Sequence, residues 1–299
     1  MTVHLDGMGW LGSTLAVNLE RNGIDFTWSD IDSWRTAWRA SNGVVYPDGD
    51  PLAVRGLEAW DRWYAQGLLP ESAACRAAFG YTQVTVPHGG TYRPLEFWPG
   101  VKRAPGLSAY IVNVAAVVKW ARSRYSDRRR DSAPEGSLEV VARGNGRMLK
   151  RYVWGWTARA RIKLPAEARA VIDSGAGLEL YGLVNKFEKV HVTSIPGEPG
   201  QFKLGTSSRP GVSNRRPEAA LRDFAKRVGQ AETLFPGLTV LDADSPVEGW
   251  RPFPARPDYT VRRAPSGIEL PSAGSSGVRL APVIVQSALD LIGEAEAKK

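Results

Sequence analysis

The chain is poor in the residues that build disulfides and metal centres: one cysteine and three histidines in 299 residues. The lone Cys75 excludes an intramolecular disulfide framework and a cysteine-built metal site. His4, His88 and His191 stand far apart without metal-ligand spacing, so no metal is expected. Runs of about 18 apolar residues are also lacking, so no segment is expected to cross a membrane as a helix. The first residues show no cationic stretch leading into a long apolar one, which speaks against a secretory signal. The expected compartment is therefore the reducing cytoplasm, that of the host if the protein is viral.

What is present is a basic, tryptophan-rich chain of ordinary globular composition. Hydrophobic residues make up 43% and charged residues 23%, which suits one large α/β unit or two modest domains and not a disordered chain. Lys+Arg 39 against Asp+Glu 31 leaves a net charge of +8, and Trp 11 outnumbers Tyr 9 and Phe 8. Flat indoles in a positive field suit a planar or polyanionic partner.

The N-terminus reads as strand, glycine turn, helix, strand. Val3 to Asp6 leads into Gly7-Met8-Gly9-Trp10-Leu11-Gly12, followed by a helical stretch from Ser13 to Asn22 and a second strand ending at Ser29-Asp30. In such a turn Gly7 permits the tight bend, Gly9 lets the backbone approach a pyrophosphate and Gly12 lets helix pack on strand. The helix N-terminus offers free N–H groups and the positive end of its dipole. Asp30 stands where a carboxylate accepts hydrogen bonds from a ribose. One residue breaks the pattern: Asp6 precedes Gly7, where an apolar side chain is usual. Asn22-Gly23 tolerates positive φ and ends the helix.

Further blocks carry a resemblance. Trp38 to Pro47, with Ala40-Ser41-Asn42-Gly43, is similar to the small-residue segment that the D-amino-acid oxidase and glycine oxidase family places after its second strand. His191 to Ile195 and Gln201 to Thr206 resemble that family's strand, turn and "iGgT" strand. Arg216 to Thr233 reads as an amphipathic helix, Leu234-Phe235-Pro236-Gly237-Leu238 resembles the "lfPgl" that closes it, and Gly249-Trp250-Arg251-Pro252-Phe253-Pro254 is similar to "G-x-R-P-x-T/P". Ala273-Gly274-Ser275-Ser276-Gly277-Val278-Arg279-Leu280-Ala281-Pro282 resembles the glycine-rich turn that opens the last helix. The blocks follow the family's order and cover about residues 3–50 and 150–293.

The resemblance implies an α/β, two-domain architecture: a Rossmann-like FAD-binding domain built from 1–80, 140–160 and 235–299, with an antiparallel-sheet substrate domain from 81–139 and 161–234. It implies FAD contacts at Gly7, Gly9, Trp10, Leu11 and Gly12, at Asp30 and Ile31, and at Ala40, Ser41, Asn42 and Gly43. Gly155, read as part of the third Rossmann strand, and Gly274, Ser275, Ser276, Gly277, Val278 and Arg279 complete that set. The last turn opens a helix from about Val278 to Ile292, whose N–H groups can stabilise charge on a reduced flavin. By the same motif match Arg251 anchors a substrate carboxylate, a task its forked guanidinium suits. Tyr259, with Tyr181 and Trp250, is expected to wall the pocket. His191 reads as structural, and His88 as a loop residue.

Elsewhere, Leu57 to Leu69 and Tyr110 to Tyr125 have helical spacing, whereas Ser137 to Ala142 and Arg151 to Leu164 look extended. Basic residues gather at Arg122, Arg124 and Arg128 to Arg130, then from Arg143 to Lys163, and again at Arg209, Arg215, Arg216 and Arg222. A phosphate backbone would use such charge, whereas a free amino acid would not. The resembled family includes a tRNA-modification domain that oxidises a carboxymethylaminomethyl uridine, and similar phage flavin-dependent lyases act on amino-acid-decorated thymidine. The expected substrate is therefore a glycine-type amine on a modified pyrimidine in DNA, with tRNA less favoured. A free-amine oxidase and a non-catalytic nucleic-acid-binding protein are the alternatives.

Overall fold

The computed structural model describes residues 1–31, 37–45, 51–82, 95–98, 101–103, 109–144, 152–185, 188–207, 217–252, 258–272 and 277–298. In chain order the first half runs β1 (Val3–Asp6), α1 (Trp10–Arg21), β2 (Phe26–Ser29), β3 (Val44–Val45), α2 (Pro51–Ala65), β4 (Ala74–Thr82), β5 (Leu95–Trp98), β6 (Val101–Arg103), β7 (Ala109–Val112), α3 (Val114–Arg124) and β8 (Leu138–Val141). The second half runs β9 (Tyr152–Ile162), α4 (Ala166–Asp173), β10 (Gly177–Asn185), β11 (Glu188–Ile195), β12 (Glu198–Ser207), α5 (Pro217–Leu234), β13 (Leu238–Val240), β14 (Val247–Pro252), β15 (Arg262–Ala264), β16 (Gly267–Glu269) and α6 (Gly277–Glu296).

Two sheets carry the architecture. The smaller has the order β15-β16-β8-β1-β2, with β1 parallel to both β2 and β8, and β16 parallel to β8. All four residues of β1 are buried, as befits the centre of a parallel sheet covered on both faces. Its core joins Val3, Leu5 and Phe26 to Leu15 and Leu19 of α1, Val117 and Val118 of α3 and Ile284 and Val285 of α6. Gly23 ends the first crossover at φ +68, the conformation that Asn22-Gly23 was suited to supply.

The larger sheet runs β13-β9-β12-β11-β10-β4-β6-β5, with β14 added to β9, β7 to β4 and β3 to β7. Its strands alternate, so one face is apolar and the other polar. Ala158, Ala160, Leu178, Leu180, Val190, Val192 and Leu204 build the apolar side with Ala231 and Phe235 nearby. Thr157, Glu179, Tyr181, His191, Thr193, Lys203 and Gly205 occupy the alternate positions in register.

Three expectations need correction. Tyr110 to Val112 is strand β7, and the helix begins only at Val114, because β-branched residues favour the sheet and Asn113 Oδ1 caps the helix through Ala116 N at 3.2 Å. The third parallel strand beside β1 is β8; Gly155 and Trp156 belong to β9, which pairs with β12 and β14 in the larger sheet. The segment boundaries also divide real packing units: α3, placed by the sequence in the substrate domain, packs into the core of the smaller sheet. β9, placed mostly in the nucleotide domain, lies in the larger sheet.

Candidate functional site

Two of the three turn glycines are enforced by the protein itself. Gly7 has φ +116, and a Cβ there would lie 2.8 Å from the Ala142 carbonyl carbon at the end of β8. A Cβ on Gly12 would come within 1.9 Å of the Gly7 carbonyl oxygen, so α1 can approach β1 only without a side chain. Gly9 differs, since a Cβ there would meet only Trp38 Cδ1, at an ordinary 3.6 Å. Gly9 is also the N-cap of α1, with no side-chain cap and no acid in the first turn. The first-turn N–H groups, which have no intrahelical partner, are therefore left without a side-chain cap. Beside Gly9, Trp38 Nε1 is buried with no hydrogen-bond partner. A helix end uncapped in this way, with a spare indole donor above it, fits a pyrophosphate.

Asp30 follows β2 as the spacing expects, and its carboxylate is engaged by the protein. Its Oδ2 accepts the Met8 N–H at 2.8 Å and pairs with Arg122 of α3. Arg122 Nε also donates to the Met8 carbonyl at 3.0 Å, and its guanidinium lies 5.4 Å from the Trp38 ring centre. Asp30 and Arg122 thus hold the glycine turn open from below. The irregular Asp6 has a similar explanation: it is buried at 3% exposure, and Arg143 Nε donates to its Oδ1 at 2.7 Å. Ile31 is 68% exposed.

The start of α6 is fastened to the same turn by indoles. Trp10 Nε1 donates to the Gly277 carbonyl at 3.1 Å, and Trp60 Nε1 donates to the carbonyls of Val278 and Arg279 at 3.0 and 3.1 Å. Trp10 and Trp60 stack at 6.2 Å, while Leu11 packs into the core. Gly274, Ser275 and Ser276 lie outside the described residues, as does His88.

The segment from Ala40 to Gly43 crosses the polar face of the larger sheet. Gly43 has φ +67, and a Cβ on it would strike the Val112 carbonyl oxygen at 1.8 Å. The Ser41 carbonyl accepts from Lys203 Nζ at 2.5 Å, and the Asn42 amide sits where a Cβ on Gly205 would be, 1.9 Å from its Nδ2. A Cβ on Gly155 would come within 3.8 Å of the Ala40 carbonyl oxygen. The missing side chain on Gly205 lets this segment settle on β12, and Gly155 of β9 lies beside it at ordinary contact distance, next to the expected loop but from an unexpected strand.

Under the segment lies a titratable cluster. Glu179 has no exposed surface, and burial pushes its carboxyl above the usual range. His191 Nδ1 lies 2.7 Å from Glu179 Oε1. Burial also pushes the Lys203 ammonium down to about 8 and the Tyr181 hydroxyl up to about 12. Glu179 carries no sequence motif and Lys203 stands in the Gln201–Thr206 block without a role assigned to it; only the pairing of β10, β11 and β12 brings them together.

The two residues expected to do chemistry are not brought together by the described contacts. Arg251 lies opposite Val153 in β14 on the larger sheet, and its side chain, like that of Trp250, is outside the described ones. Tyr259 is partly buried against the core of the smaller sheet. Cys75 is half-buried, with its thiol pushed up to about 11 by burial, a chemically quiet state. His4 is held by Thr27 and Ser29, and burial lowers its pKa. Among the described residues no helix is long and apolar enough to cross a membrane, and no group of three potential ligands could hold a metal ion.

The arginines between 122 and 130 make contacts within the fold, and Arg124, Arg129 and Arg130 are exposed. Arg124 pairs with Glu20, Arg128 covers the Phe26 ring at 4.6 Å, Arg129 covers Trp28 at 5.3 Å and Arg130 donates to the Asp127 and Arg129 carbonyls. Arg161 and Lys163, alternate residues at the end of β9, are exposed.

No protein-family model matches the chain, and no curated protein matches it. Solved structures do. Iminodiacetate oxidase from Chelativorans sp. BNC1 aligns with a TM-score of 0.65 at 16% identity, covering 98% of this chain and 95% of that one. Glycine oxidase from Bacillus cereus ATCC 14579 aligns at 0.67 and 15%, with the same coverage. L-α-glycerophosphate oxidase from Mycoplasma pneumoniae, solved with FAD bound, aligns at 0.67 and 13%, again over 98% and 95%. At such identities the likeness is one of fold. The chain shares the two-sheet α/β fold of these solved structures across nearly its whole length.

Proposed function

We propose that the chain is a FAD-dependent oxidase of a glycine-type secondary amine. One observation carries this reading: the uncapped N-terminus of α1 at Gly9, with the spare Trp38 indole donor, sits in a fold shared with flavin oxidases over nearly its full length. Gly7, Gly9, Trp10, Leu11 and Gly12 form the turn that takes the pyrophosphate, and Asp30, followed by Ile31, serves the ribose. Ala40 to Gly43 and Gly155 give the cofactor a small-residue wall, and Gly277, Val278 and Arg279 present the α6 N-terminus to it; Gly274, Ser275 and Ser276, expected to share that role, lie outside the described residues. Arg251 anchors the substrate carboxylate. Tyr259 walls the pocket only if the substrate reaches the smaller sheet, against which it packs.

When bound, FAD supplies a two-electron acceptor. The protein's part is to orient the amine with its α C–H toward that acceptor and to exclude water until oxidation is complete. The substrate loses two electrons and two protons to become an imine, and water then cleaves the C=N bond to give glyoxylate and the shortened amine. Two titrations test the reading. Purified protein mixed with FAD should show the flavin visible band bound to protein, and anaerobic addition of glycine, sarcosine or iminodiacetate should bleach it. No uptake of FAD would sink the reading. Arg251→Ala should keep FAD but lose at least about 10²-fold in kcat/KM, as expected when a carboxylate clamp is removed; unchanged kinetics would take Arg251 out of the site.

A second, finer reading is that the amine is carried by a modified thymidine in DNA, as in a phage-type lyase, or less readily by a tRNA uridine. The net charge of +8 and the exposed Arg161 and Lys163 favour it. Such binding would weaken steeply with salt. Bleaching by a glycyl-modified oligonucleotide but not by free glycine would support it, and the reverse result would overturn it.

A further inference from the structure

An ionisable carboxylate without exposed surface is costly unless its surroundings compensate it. Glu179 is such a group, in the middle of the larger sheet, and its Oε2 is buried with no hydrogen-bond partner. Its Oε1 lies 2.7 Å from His191 Nδ1, and the His191 side chain keeps 22% exposure. Glu179 stands opposite Thr193 and His191 opposite Tyr181, so acid and imidazole are diagonal neighbours on one face. Tyr181 meets the His191 ring edge-on at 5.0 Å.

The other groups around this pair come from each neighbouring element. β12 contributes Lys203, whose Nζ donates to the Ser41 carbonyl. β9 contributes Arg159, opposite Lys203 and paired with Glu198. The segment after β2 contributes the Asn42 amide above Gly205, and Gly205 is the register partner of His191. On β4, Phe79 and Tyr81 are in register with Glu179 and Tyr181. The apolar face of the sheet supplies the packing, so a buried acid, a half-buried imidazole and a half-buried amine on the other face are unexplained by stability. Perturbed titratable groups gathered beside a candidate ligand segment mark a functional site.

We propose that His191 is the proton acceptor for the substrate amine and that Glu179 is the positioning residue that orients it. The inference rests on the oxidase reading above. A glycine-type amine is mainly protonated near neutral pH, and its nitrogen lone pair must be free before the α C–H bond is oxidised. His191 Nε2 takes the proton: the substrate N–H bond breaks, its electron pair stays on nitrogen, and the imidazole becomes imidazolium. Glu179 Oε1 accepts the Nδ1–H, which leaves Nε2 as the acceptor in the neutral ring and stabilises the cation formed. No electron leaves the substrate in this step.

The test is the pH profile of kcat/KM for the FAD-loaded protein, with His191→Asn and Glu179→Gln. His191→Asn should lose about 10²-fold near neutral pH, the usual worth of a positioned base, and the deficit should shrink as the pH rises toward the amine's own pKa. Glu179→Gln should move the acidic limb of the profile to lower pH with a smaller loss. Proton NMR of the wild-type chain, which has only three histidines, should show one imidazole whose titration moves in Glu179→Gln. A deficit that is the same at every pH, or a limb that stays in place, would overturn the assignment and leave the oxidase reading intact. A chain that takes up FAD but is bleached by no amine would sink both. Melting curves of the two variants identify one that merely fails to fold, in which case His191→Gln repeats the profile.

Discussion

At the scale of single residues, the glycine turn shows how far close approach decides identity. Gly12 has no alternative, because any Cβ would overlap the Gly7 carbonyl oxygen. Gly12→Ala should therefore cost about 3 kcal/mol, typical of overpacking against backbone, and should abolish FAD uptake; a melting scan with a flavin titration checks both. Gly9→Ala meets only the Trp38 ring edge at 3.6 Å. It should leave the fold stable and weaken FAD alone. The glycine pattern was thus legible in the sequence, together with its physical reasons. Asp30 was legible as a position, but its partner was not: Arg122 lies far along the chain, and α3 packing on α1 is what delivers its guanidinium to the turn. His191 reads as an ordinary strand histidine until the β10–β11 register places Glu179 beside it.

At the scale of elements, α6 contains Pro282, which cannot donate to the carbonyl four residues earlier. That carbonyl belongs to Val278, and Trp60 of α2 donates to it instead. α2 comes close enough to do so because a Cβ on Gly56 would already lie 2.9 Å from the Arg279 carbonyl oxygen. Trp60→Phe keeps a ring for stacking on Trp10 but removes the donor. It should cost about 1 kcal/mol for the orphaned, part-buried Val278 carbonyl and loosen the helix start that faces the candidate cofactor. Thermal melting and amide exchange at Gly277 to Leu280 measure the two effects. The helix itself was legible from the glycine-serine turn that opens it and from Pro282 near its first turn; the strand at Tyr110 to Val112 was not, since its helical spacing continues into α3 and only Asn113 breaks it.

At the scale of the whole molecule, two sheets meet where the chain after β2 lies across β9 and β12, and the buried charges there tie stability to pH. Lys203 has a folded pKa of about 8, below the ordinary 10.5. Between those values the unfolded chain binds more protons, so stability rises with pH across that window and the penalty is fully present below about 8. Lys203→Met should stabilise the protein at pH 7, with the gain fading toward pH 10.5; denaturant midpoints across that range check it. The tryptophan excess has a related meaning. Trp10, Trp60 and Trp28 are buried in the core of the smaller sheet, and Arg128 and Arg129 cover Phe26 and Trp28.

Local pattern by itself determined the strand–turn–helix start and the glycine-rich opening of the last helix, because glycine spacing acts over a few residues; the antiparallel strands of the second half and the fold class followed from the resemblance carried by the motif blocks. Tertiary structure alone decided which strand flanks β1, which strand holds Gly155, what the arginine run touches within the fold and which groups share the polar face with His191. Those depend on pairing between distant segments, where one residue of register moves a side chain to the opposite face.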